Sequence, residues 1–165
     1  MYTDGTLRVL RAQERELVFE AFDAADAWGI AALLIEAAQK ESRPIALQAV
    51  LDGFDILRYF MPGTGAKNAF WMAKKYNTVC KTGVSSLAAA VEQALSQHPP
   101  TGWQCDGDRY ALCGGGFPIR IRGQGIVGVY CISGLPHLED HRVLTTVLAQ
   151  YLGKPPSIVP VEAEL

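Results

Sequence analysis

Two histidines four residues apart, His137 and His141, open a stretch that reads as a helix. That spacing sets two imidazoles on one helical face, where they can hold a metal ion or flank a haem. Their order, His-Leu-Glu-Asp-His, matches neither zincin motif, and no third ligand is identifiable, so surface or capping roles stand beside ligation. A second candidate is Lys75, four residues from both Trp71 and Val79. On an apolar helical face it either meets an anionic ligand, with burial lowering its pKa, or runs its stem along the surface, as the adjacent Lys74 favours. Phe70, Trp71 and Tyr76 are either core or the wall of an apolar cavity for a planar ligand. A third feature is Cys113-Gly114-Gly115-Gly116-Phe117-Pro118-Ile119. Consecutive amides in such a turn attract a carboxylate or phosphate, or the turn is purely structural, its glycines letting the backbone adopt positive φ. The run is not a Walker A loop, because Phe-Pro-Ile opens a strand where that motif needs Gly-Lys-Ser or Gly-Lys-Thr opening a helix.

Ser133-Gly134-Leu135-Pro136 leads into Glu139 and Asp140, acids suited to the positive end of a helix dipole. Ser133 lies in Ile-Ser-Gly, not in a nucleophile elbow, and Cys80 and Cys113 lack a local nucleophile signature. No catalytic residue is assigned, and whether the chain is an enzyme stays open.

The elements that must position these residues follow from periodicity. Residues 6–16 read as a short helix, and Leu17-Val18-Phe19 either continues it or begins a strand. Asp23 is the expected N-cap of a second helix reaching Gln39, with Asp26 in its first turn. Strands over 44–51 and 54–61 flank Asp52-Gly53, a dipeptide suited to a tight hairpin. Helices follow over 66–79 and from Ser85 or Ser86, the latter carrying Leu87, Val91 and Leu95 and ending at Pro99-Pro100. Three short strands are expected over 109–112, 117–121 and 126–132, the last two joined by Gly123-Gln124-Gly125. Val143, Leu144, Val147, Leu148 and Tyr151 give a closing helix, ended by Gly153 and Pro155-Pro156. The remainder reads as an arm whose Ile158-Val159 either docks on a neighbouring subunit or frays. This order gives an α+β domain with helices on an antiparallel sheet, not a βαβαβ fold.

With 165 residues, 49% of them hydrophobic, the chain fits one domain with an ample core. Fifteen basic against seventeen acidic residues, with no basic run, argue against nucleic acid as a partner. No basic-then-apolar leader is visible at Met1-Tyr2-Thr3-Asp4-Gly5, and no apolar stretch approaches the roughly 18 residues of a membrane span, so a cytoplasmic protein is expected. Four cysteines without a CxxC pair suit a reducing compartment.

The pattern Gly-Gly-x-Phe-Pro-Ile, then a glycine-containing strand pair, then Ser-Gly-Leu-Pro-x-Leu-Glu-Asp-His resembles the GlcG/HbpS-like superfamily, the haem-degrading-domain family related to the C-terminal domain of PduO-type proteins. Pro62-Gly63-Thr64, Asn68, Trp71, Lys75, Val79 and Ser85-Ser86 are similar to its short, single-domain cytosolic group, and the resemblance covers roughly residues 10–152, leaving 153–165 as the C-terminal arm. It implies a profilin-like α+β fold, assembly into dimers or larger rings, and a site for a small planar or anionic ligand, with haem the leading candidate. The residues expected to contact that ligand are Trp71, Lys75, Gly115, Gly116, Phe117, Pro118, Gly134, Glu139 and His141, with His137 or His141 contacting a metal. Two other readings accompany this one: an oligomeric assembly protein without a small ligand, and a haem- or corrinoid-linked enzyme.

Overall fold

The computed structural model describes residues 1–158. Helix α1 (Asp4–Glu16) and helix α2 (Ala24–Lys40) precede the hairpin of β1 (Ala46–Leu51) and β2 (Phe54–Phe60). Helices α3 (Ala66–Thr82) and α4 (Ser86–Leu95) lead through a 3-10 turn to β3 (Gly116–Ile121), β4 (Gly125–Ser133) and α5 (His137–Tyr151). The α+β class is as expected. The sheet runs β2-β1-β4-β3, antiparallel throughout, so β1 and β4 lie at its centre.

Local chemistry accounts for the boundaries. Asp23 caps α2 by accepting from the amides of Ala25 and Asp26, and the Asp26 carboxylate returns a bond to the Asp23 amide. The hairpin turns on Asp52 and Gly53, both at positive φ (51° and 78°). Ser85 caps α4 through the amide of Ala88. Leu17-Val18-Phe19 does both things that its sequence allows: Leu17 closes α1, and Phe19 forms an isolated parallel bridge to Ile121 at the outer edge of β3.

Strand alternation divides the core. Leu47, Ala49, Tyr130, Ile132, Phe117 and Ile119 project to the side covered by α2 and α5, where Ile30, Leu34, Leu144 and Leu148 are buried against them. Ala46, Val129 and Cys131 project oppositely and meet Met72 and Val79 of α3. Leu10 of α1 packs with Leu87 and Val91 of α4 in a third cluster. Glu14 pins that cluster to the sheet, accepting from the Ser85 amide at 2.8 Å and from Arg120 at 3.1 Å.

The strand expected over 109–112 is not formed, which corrects a five-strand expectation to four. Its amides are claimed elsewhere. Asp106 accepts from the amides of Arg109 and Tyr110, Asn77 donates to the Arg109 carbonyl, and Thr78 bonds both the amide and the carbonyl of Ala111. Side chains of α3 thereby take the place of a neighbouring strand. At the other end, Ile158 packs against the molecule's own principal core; Val159 and the rest of the expected arm lie outside the described residues. Among those described, no helix is long and apolar enough to cross a membrane.

Candidate functional site

A cleft of about 440 Å³ lies between the first half of α3 and the junction of β4 with α5. Helix α3 contributes Lys67, Asn68, Trp71 and Lys75, which recur at the three- and four-residue intervals of one helical face. Ser133, Gly134 and Leu135 supply the far wall, His137 and Asp140 come from the first turn of α5, and Cys113 from the loop before β3.

The centre of the cleft is an ion pair. Lys75 Nζ donates to Asp140 Oδ2 at 2.8 Å and to the Ile132 carbonyl at 2.9 Å, and both side chains are 3% exposed. The other Asp140 oxygen accepts from the Leu135 amide at 3.0 Å. The carboxylate therefore ties α3 to the loop that introduces α5. Burial pushes the Asp140 carboxyl above its ordinary pKa, against the pull of Lys75 and the loop amides. Two adjacent lysines suggest a solvated face, yet both are buried. Lys74 donates to the Gly107 carbonyl and lies over the rings of Phe70 and Trp71, 4.0 Å and 4.9 Å from their centres.

The glycine run forms the bed beneath this pair. Gly116 pairs with Cys131 on the α3 side of the sheet, and a Cβ there would stand 3.1 Å from the Lys75 Cβ. Gly115 has φ +112°, and its added Cβ would meet Lys75 Nζ at 2.6 Å and the Ile132 carbonyl at 2.7 Å. A Cβ added at Gly114 would meet the His137 carbonyl at 2.2 Å. All three residues are buried. Their shortness lets α3 and α5 approach the sheet; close packing, not an open loop, is what the run provides.

Of the residues expected at a ligand, the structure brings Trp71, Lys75, Gly134 and His137 to the cleft. It does not bring the others. Phe117 belongs to the core on the opposite side of the sheet, and its neighbour Pro118 is buried within β3. Gly115 and Gly116 lie beneath Lys75. Glu139 is engaged by Arg43. His141 is fully buried: Nε2 meets Gln13 Oε1 at 2.8 Å, and the ring stacks obliquely against Phe117. Burial, helped by His137, lowers its pKa to about 3. One turn of helix thus separates the two imidazoles into different environments, because His137 heads α5 at the surface and His141 faces α1. Among the described residues, no group of three or more His, Cys, Asp and Glu side chains is placed to hold a metal ion.

Asp140 was legible only as a helix-capping acid, yet it is the partner of Lys75. The available signal was Lys75 itself, since a cation on an apolar stripe needs a buried anion. Asn68 and Ser133 also escape residue-by-residue reading. Asn68 accepts from the Gly65 amide at the start of α3 and donates to the Ser133 carbonyl and hydroxyl, at 3.2 and 3.3 Å, fixing the α3 wall to the end of β4.

A family model described as haem degrading protein HbpS-like matches residues 22–149. The chain belongs to the HbpS-like family. This HbpS-like protein is 35% identical to a UPF0303 protein of Streptomyces coelicolor over 153 residues, 92% of this chain and 97% of that one. Its fold is similar to that of Ybr137w, with a TM-score of 0.79 at 24% identity over 89% of this chain and 87% of the other. It is also similar to PduOC, solved as a haem complex, with a TM-score of 0.64 at 20% identity over 78% and 94% of the two chains.

Proposed function

We propose that this HbpS-like protein binds a small planar, anionic ligand in the α3/α5 cleft, without an assigned reaction, and that haem is the first ligand to test. The observation that carries this reading is the cleft itself, a preformed recess with an aromatic rim at Trp71 and a cationic side at Lys67 and Lys75. Apolar walls with a few fixed polar groups are the usual make-up of a small-molecule site. The family match and the haem complex of PduOC supply the candidate. If haem is the ligand, Trp71 and Leu135 suit the ring and the lysines suit its carboxylates. An iron porphyrin would supply redox chemistry, and the residues of this chain would bind and orient it.

Titration with haemin, followed at the Soret band, tests this. Saturable one-site binding is expected, weakened about tenfold or more in Trp71→Ala, where an aromatic contact is lost, with circular dichroism checking that the variant folds. Equal, non-saturating absorbance in both proteins would remove the proposal.

Self-association belongs to the same reading. Among the described residues, strand β2 has one edge without a strand partner, and it carries Phe54, 67% exposed, and Tyr59, 41% exposed. A dimeric or larger mass by light scattering on the titrated sample is expected, and a monomeric mass would remove this part. A cytoplasmic setting accords with four cysteines that are all free thiols; loss of the protein from a cytosolic fraction would count against it.

A further inference from the structure

The potential metal ligands of the cleft are engaged in ways that bear on what the site can recognise. His137 Nδ1 accepts a hydrogen bond from the Gly114 amide at 3.4 Å. A neutral imidazole whose Nδ1 is an acceptor carries its proton on Nε2. Nε2 has no partner among the described residues, and His137 lines the cleft. The ring is thus set as an N–H donor toward a ligand, the reverse of what coordination through Nε2 requires. Burial together with the neighbouring Lys75 lowers the His137 pKa, which keeps the neutral form dominant near neutrality.

The other donors point the same way. Cys113 is the one thiol lining the cleft among the described residues, and burial raises its pKa, so it stays protonated where ligation needs a thiolate. Both Asp140 oxygens are already occupied. Lys75 uses two of its three N–H groups on Ile132 and Asp140, and the third has no acceptor among the described residues although the side chain is almost fully buried. Helix α5 has no side-chain cap hydrogen bond at Pro136, and the amides of Glu139 and Asp140 already donate to the Pro136 carbonyl, at 2.8 and 3.0 Å, so the donors in question are side chains. His137 and Lys75 therefore turn hydrogen-bond donors to the cleft, while its imidazole, thiol and carboxylate are each protonated or already engaged.

We propose that the ligand is recognised through a carboxylate, which accepts from His137 Nε2–H and Lys75, and that the cleft supplies no axial ligand to a metal. This deepens the ligand-binding reading and rests on it. The consequence for haem is that the porphyrin acid, not its iron, would be what the protein reads.

Three probes separate these features: haemin, metal-free protoporphyrin IX and the dimethyl ester of metal-free protoporphyrin IX, each titrated by quenching of tryptophan fluorescence. The expected result is that the metal-free acid binds within about threefold of haemin while the diester is at least about tenfold weaker. His137→Gln, which keeps a side-chain N–H donor, should retain most of the affinity for the acid. His137→Leu should lose about fivefold or more for the acid and change little for the ester, and the circular dichroism of both variants checks that they fold. Haemin binding more than tenfold tighter than the metal-free acid, with that preference abolished in His137→Leu, would make the histidine an iron ligand and overturn the inference while keeping the ligand-binding reading. Equal binding of acid and ester would overturn the carboxylate role alone. Saturable binding of none of the three would remove the underlying reading and the inference with it.

Discussion

Replacing Lys75 with Met is expected to destabilise the protein by about 3–5 kcal/mol near neutral pH, the range typical of removing one partner of a buried ion pair. The methionine fills the stem's space but leaves the Asp140 carboxylate 3% exposed without its cation. For a domain whose total stability is on the order of 5–15 kcal/mol, this is a large share. The cost should shrink toward acid pH, because protonating Asp140 removes the uncompensated charge. Adding Asp140→Asn should recover most of the loss, because it removes the uncompensated charge and an amide oxygen can still accept from Leu135. Urea unfolding of the two single variants and the double variant gives the coupling directly, and additive effects would show that the pair is not the structural clamp described above. The same expectation explains why Trp71, at the rim, is the better probe of ligand binding. Lost affinity in Lys75→Met would mix a missing contact with a damaged fold.

The second large effect is acid destabilisation centred on His141. Its pKa falls from 6.5 to about 3 on folding, because burial disfavours the imidazolium. The unfolded chain therefore binds more protons than the folded one between those two values. Stability from this residue is fully present above about pH 6.5 and is lost as pH falls toward 3, at about 1.4 kcal/mol per pH unit, or about 2 kcal/mol by pH 5. Asp140 acts in the opposite direction, since its raised pKa means that protonation favours the folded state. A His141→Gln variant isolates the histidine. It is expected to show a flatter decline in chemical stability from pH 7 to pH 5 than the parent, and parallel curves would show that His141 does not titrate with unfolding.

Much of the fold could be read from local signals. Asp23, Asp52-Gly53, Ser85 and the spacing of Leu87, Val91 and Leu95 each specify their element within a few residues, and the structure places each there. The failure at 109–112 has a distant cause. Thr78 and Asn77 bond that segment's backbone from more than thirty residues away, and no pattern within Arg109-Tyr110-Ala111-Leu112 reports them. The site was legible in the same uneven way. Trp71 and Lys75 follow from helical spacing, and Gly134 and His137 from the turn into α5. That His141 would turn inward onto Gln13 could not be read, because its partner comes from α1, 128 residues earlier. Phe117 and Gly116 illustrate the limit of motif reading: adjacent in one motif, they face opposite sides of the sheet by strand alternation.

The burial of Gly114, Gly115 and Gly116 beneath Lys75 and the start of α5 has an evolutionary consequence. The approach of α3 and α5 to this part of the sheet is limited at the glycines by backbone and by the Lys75 stem, and the Lys75–Asp140 pair and Asn68 hold the two sides together. The side chains of Lys67, Trp71 and Leu135 take no part in those contacts. Change at those three positions would therefore alter what the recess accepts while leaving its frame in place.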